Sequence, residues 1–217
     1  MNTGRKRGCS GSSLVEILVV ATVLGIVIAL LLPAISQAIE TSRSTKCIGK
    51  LRQLGVNIRV WRTENNERLM PPLETASRRP SRYFFDGGVI QLAEEMQCPT
   101  STTASRGAWL DGGNGSAKYR AQFDHHFISY GVNPYAFYQT SHYGMTTSFR
   151  VFQGRESKVP QVMDATAWQI NLKAWSDPLS RIAPRHQKKA NVLFLDGHVD
   201  SLGSDAILNL SPIGGPG

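Results

Sequence analysis

The chain has 217 residues, enough for one membrane helix and one modest domain. Its 24 Lys and Arg outnumber 16 Asp and Glu, giving a formal charge of +8. The basic residues are scattered among acids, which argues for a solvated surface over a nucleic-acid-binding face.

The first element is a basic leader, Arg5-Lys6-Arg7, followed by an apolar run from Gly11 to Pro33. From Leu14 to Leu32 every residue is apolar or small except Glu16 and Thr22. As a helix this stretch is roughly 28 Å long, close to the hydrocarbon thickness of a bilayer. A soluble helix has no need to be apolar on every face, so a membrane span is expected. The leader charges place the amino terminus on the cytoplasmic side of an inner membrane and send the rest across. Glu16 is the exception within the run, because an intramembrane carboxylate is costly unless it meets a partner. A secretory signal cut near Ala34-Ile35-Ser36 would have a shorter apolar core without an acid. A plain signal anchor gives no reason for the spacing of Gly11, Glu16 and Pro33.

That spacing resembles the type IV prepilins and type II secretion pseudopilins. Their signal is a basic leader, a glycine at the cut, a glutamate at the fifth mature residue and often a proline at the twenty-second. With Ser12 as the first mature residue, Glu16 and Pro33 fall at those positions. The first mature residues here read SSLVE, where the family usually has FTLIE. The resemblance implies processing by a prepilin peptidase at Gly11–Ser12, with methylation of the new amino terminus. It also implies assembly with other pilin or pseudopilin subunits through the helix, with Glu16 attracting a neighbour's amino terminus. Loss of the leader removes three positive charges and leaves +5 of the +8. It also removes Cys9, so Cys47 and Cys98 remain as a pair in an oxidising compartment. They form either a disulfide, the candidate pairing, or two buried thiols.

Beyond Pro33, where a kink is expected, the helix should continue to about Thr63. Cys47, Leu51, Leu54, Ile58 and Trp61 recur at steps of four and three, which makes one apolar stripe for packing against the exported part. Met70-Pro71-Pro72 ends the helical region, and a basic loop with Arg78, Arg79 and Arg82 follows. Gly88 to Gln97 reads as a short helix stopping at Cys98-Pro99, before a Ser-, Thr- and Gly-rich loop from Thr100 to Lys118. Aromatic residues from Phe123 to Tyr138 suit core and inter-subunit packing, with Tyr130-Gly131-Val132-Asn133-Pro134 as a strand entering a turn. His125 and His126 are poor metal ligands, since neighbours on a strand face opposite ways. Glu156 to Pro160 leads into a strand near Gln161 to Ala165.

Asp196-Gly197 lies between Asn191–Leu195 and His198–Leu202, which predicts a two-residue hairpin with positive φ at both turn residues. Nine residues separate His186 from Asp196-Gly197. This H-x9-DG segment is similar to one carried by a large group of prepilin-like proteins. In that group it accompanies a Cys-x3-Leu-Arg-Gln-Leu-Gly segment, matched here from Cys47 to Gly55, and a later Cys-Pro, matched by Cys98-Pro99. His186 and Asp196 could form a catalytic or metal pair with His198 or Asp200. The simpler expectation is that His186 bonds backbone or Asp196 and locks the hairpin. Some pseudopilins bind calcium through clustered oxygens, but Asp196 and Asp200 are too few, so neither a metal nor a cofactor is expected.

The fold class expected is α+β and pilin-like: a long amino-terminal helix, its first half transmembrane, packed on a small head with an antiparallel sheet. The segments are a cleaved leader (1–11), the membrane helix (12–33), its exported continuation (34–66) and the head (67–217), with the hairpin over 191–202. The function expected is a structural subunit of a pilus- or pseudopilus-like filament, not an enzyme. Membrane lipid surrounds the helix before assembly. Two alternatives stand beside it: an anchored exported enzyme using His186 and Asp196, and a minor pilin that binds DNA.

Overall fold

The computed structural model describes residues 14–70, 84, 87–91, 93–100, 129–133, 136–137, 149–166, 170 and 181–210. Gly11, Ser12, the Arg78–Arg82 loop, residues 101–118, His125, His126 and the tail from Ser211 lie outside them. The chain divides into two compact units, Met1–Ile39 and Glu40–Gly217.

Helix α1 runs Leu14–Glu64, and Pro33 lies inside it without ending it. Over Leu14–Ile39 its large apolar side chains are exposed, including Leu14, Ile17, Leu24, Leu31 and Ile39. This stretch is long and apolar enough to cross a membrane. In the second unit the character of α1 changes. Cys47, Leu51, Leu54 and Ile58 are buried, with Trp61 packed beside them, so the expected stripe is a core face. Gly55 lies on the same face, and a Cβ there would sit 2.9 Å from Leu193, so the glycine lets strand and helix approach closely. The helix stops at Glu64, ahead of the prolines. Asn66 and Glu67 adopt positive φ, and the Glu67 amide bonds back to the Arg62 carbonyl, which closes the last turn.

The second unit is built on a four-stranded antiparallel sheet in sequential order. Its strands are β1 (Tyr130–Val132), β2 (Pro160–Asp164), β3 (Lys189–Phe194) and β4 (Val199–Gly203). Period-two alternation sorts the side chains between two clusters. Tyr130, Val132, Val162 and Leu193 pack with the α1 stripe, whereas Met163, Ala190, Val192 and Phe194 pack with Ile182 and Ile207. Ile207 belongs to the short helix α2 (Ser204–Leu208). The sheet is therefore covered on both faces, which explains the near-continuous burial of β2 and β3. The layout is α+β.

Two local expectations change. Of the helix expected over Gly88 to Gln97, the described residues form only a 3-10 turn at Ala93–Met96. Gly88 has φ of +73°, and the Gln91 amide is taken by the Glu95 carboxylate, so the backbone does not wind earlier. The Asp196-Gly197 turn is a three-residue loop, with positive φ at Gly197 alone. The Gly197 amide bonds the Phe194 carbonyl, and the Phe194 amide bonds the His198 carbonyl. That pattern is a type I turn followed by a left-handed glycine, which tolerates a normal Asp196. The two-residue turn with positive φ at both centres occurs instead at Gln187-Lys188, closed by paired backbone bonds between His186 and Lys189. Neither residue favours that conformation. Replacing them with Asn-Gly (Gln187→Asn, Lys188→Gly) should raise stability by about 1 kcal/mol, read as a Tm increase of about 2–4 °C.

Candidate functional site

Four side chains with metal-binding or nucleophilic chemistry converge beneath α1. Helix α1 supplies Cys47 on the core stripe. The segment after the 3-10 turn supplies Cys98, with the preceding Gln97 carbonyl accepting a hydrogen bond from Lys50 of α1. Strand β2 supplies Asp164, on the same face as Val162. The tight turn before β3 supplies His186. Their ligand atoms all lie within 4.8 Å of one another. Cys47 and Asp164 are 0% exposed, and Cys98 and His186 are 3% exposed.

The contacts are specific. Cys98 Sγ lies 3.2 Å from His186 Nε2, and the Cys47 thiol donates to Asp164 Oδ1 at 3.5 Å. His186 Nε2 is 3.7 Å from Asp164 Oδ2. A second layer holds these groups in place. Glu40 Oε1 sits 3.1 Å from His186 Nδ1, and Thr100 Oγ1 is 3.5 Å from the same nitrogen. The Tyr130 hydroxyl meets Cys47 Sγ at 3.1 Å, and the Asn191 amide donates to Asp164 Oδ2 at 2.8 Å. Arg185 is anchored by the carbonyls of Ser129 and Ala165 and brings Nη1 to 3.7 Å from Asp164 Oδ1.

The electrostatics follow from burial and crowding. Burial pushes the Asp164 carboxyl up to about 7 and raises Tyr130 as well. The adjacent thiols are driven apart: Cys98, beside the Cys47 thiol and His186, is held down to about 4, and Cys47 is pushed far up. Burial opposes the His186 cation, but the hydrogen bond and charge of Cys98, then Asp164 and Glu40, outweigh it and raise His186. The two thiols share protons as a pair.

Several expectations are corrected here. Cys47 and Cys98 are neighbours, but both are free, so the candidate disulfide is not formed. Each sulfur is instead occupied by polar partners: Tyr130 and Asp164 on one, His186 on the other. His186 does not lock onto Asp196. It turns to Cys98 and Glu40, while Asp196 Oδ1 binds His198 Nδ1 at 2.6 Å. The His198 ring stacks on Phe194 at 4.3 Å, and the Asp196 carbonyl accepts from Arg59 of α1. The two halves of the H-x9-DG segment thus have separate jobs: the histidine completes the cluster, and Asp196-Gly197 shapes a hairpin tip held to the helix.

Asp164, Glu40 and Arg185 carried no motif in the sequence. The available signals were an acid within the apolar strand VMDA and a glutamate two helical turns before Cys47, on its face. A Cys98–His186–Glu40 relay has the order of a thiol-protease triad, with its cysteine and histidine buried and its glutamate partly exposed. Comparison with protein families, curated proteins and solved structures finds no match to this chain.

Proposed function

We infer that this protein is a prepilin-like structural subunit, anchored by the first part of α1 and assembled into a filament through it. The supporting observation is the exposure of every large apolar side chain of α1 from Leu14 to Ile39, which requires lipid or other helices as cover. From Cys47 onward the same helix buries one face in its own unit. Such a helix suits a subunit that leaves lipid for a filament core while its folded part stays outside. Val56 and Val60, also exposed, extend the apolar surface available to neighbours.

Glu16 is the charged residue of the anchor. Cleavage at Gly11–Ser12 would place a new cationic amino terminus nearby, and in an assembled bundle that cation would neutralise a neighbour's Glu16. The test is intact mass and amino-terminal sequencing of the membrane form, with and without the peptidase. A chain beginning at Ser12 is expected, and Glu16→Leu should leave cleavage intact while abolishing filament recovery in sheared fractions. An uncleaved chain, or filaments of normal yield from the Glu16 variant, would sink this reading.

A further inference from the structure

We propose that Cys47, Cys98, Asp164 and His186 bind one zinc(II) ion, as a closed structural site that ties α1 to the sheet. Two sulfurs, one imidazole nitrogen and one carboxylate oxygen are a donor set suited to tetrahedral zinc. A tetrahedron with zinc bonds of about 2.0–2.3 Å has edges of roughly 3.3–3.8 Å. The Cys98–His186 edge measures 3.2 Å, and Asp164 adds one further edge with either oxygen, 3.5 Å from Cys47 to Oδ1 or 3.7 Å from His186 to Oδ2. The widest pair, at most 4.8 Å apart, needs to close by about 1 Å.

The surroundings complete the chemistry. His186 presents Nε2 to the centre while Nδ1 faces Glu40, the carboxylate–histidine–zinc arrangement that fixes tautomer and ring orientation. Two thiolates and one carboxylate carry one negative charge more than zinc(II) neutralises. Arg185, held by two backbone carbonyls against Asp164, supplies the compensating positive charge. With four protein ligands and near-complete burial there is no position for substrate, so the role is structural. The ligands come from α1, the segment after the 3-10 turn, β2 and the turn before β3, elements far apart in sequence. One ion would therefore staple most of the second unit. Zinc binding is independent of how the anchor is used.

The test uses the full-length chain purified from membranes in detergent, without added chelator. Elemental analysis should find one zinc per chain, with both thiols protected from alkylation until a strong chelator is added. Reconstitution with cobalt(II) should give sulfur-to-cobalt charge-transfer bands and the intense visible absorption of a tetrahedral site. Cys98→Ser and His186→Ala should lose the ion. Glu40→Gln, which alters only the outer partner, should weaken zinc affinity about 10–100-fold. A reduced wild-type chain that takes up neither zinc nor cobalt overturns the proposal, as does an exported chain carrying a Cys47–Cys98 disulfide. Should Cys98→Ser fail to accumulate, the wild-type alkylation and cobalt spectrum decide the matter.

Discussion

Arg185→Met should destabilise the second unit by about 3–5 kcal/mol, lowering Tm by about 6–20 °C. The guanidinium is buried and donates to the carbonyls of Ser129 and Ala165, at 2.7 and 2.6 Å, while facing Asp164. Methionine fills the space of the aliphatic stem but supplies none of these interactions, and it leaves His186 as the remaining cation beside the buried Asp164 carboxyl. Arg185→Lys keeps the charge but not the planar fork that reaches two carbonyls at once, so it should restore only part of the loss. Thermal unfolding of the full-length protein in detergent, followed by circular dichroism, measures both variants. A loss below about 1 kcal/mol for Arg185→Met would show that the guanidinium is not a structural tie.

Leu51→Ala and Leu24→Ala should differ sharply, although both remove the same atoms from the same helix. Leu51 is 0% exposed within the α1–sheet core, so its truncation should cost about 2–5 kcal/mol. Leu24 is exposed in the amino-terminal unit, and its truncation should change stability of the folded unit by no more than about 0.5 kcal/mol. Urea midpoints of the two variants against wild type read the difference directly. Equal shifts would contradict the division of α1 into an uncovered half and a core half.

The hairpin illustrates where local rules succeed and where they do not. Asp196-Gly197 correctly marks a reversal between β3 and β4, because glycine there accepts φ of +95°. The turn type was beyond reach of that dipeptide, since Arg59 of α1 and the His198–Phe194 stack also act on the tip. The turn at Gln187-Lys188 is the reverse case. Neither residue signals positive φ, so only the pairing of His186 with Lys189 and the partners of His186 account for it.

The amino-acid sequence alone determined the long apolar helix and its transition to a one-sided stripe at Cys47. Hydrophobic periodicity is a local property, readable wherever one element faces one environment. The sequence also marked a strand at β2 and a reversal at Asp196-Gly197, while the segments holding Cys47, Cys98 and His186 stood out through their resemblance to those of prepilin-like proteins. Only the tertiary structure decided that these three meet, with Asp164 as the fourth member and Glu40 and Arg185 behind them. Convergence depends on strand register and on the approach of α1 to the sheet, which Gly55 permits. Those are relations between distant segments, and no spacing along the chain encodes them. For the same reason the two cysteines read as a candidate disulfide, until the fold placed an imidazole and a carboxylate against their sulfurs.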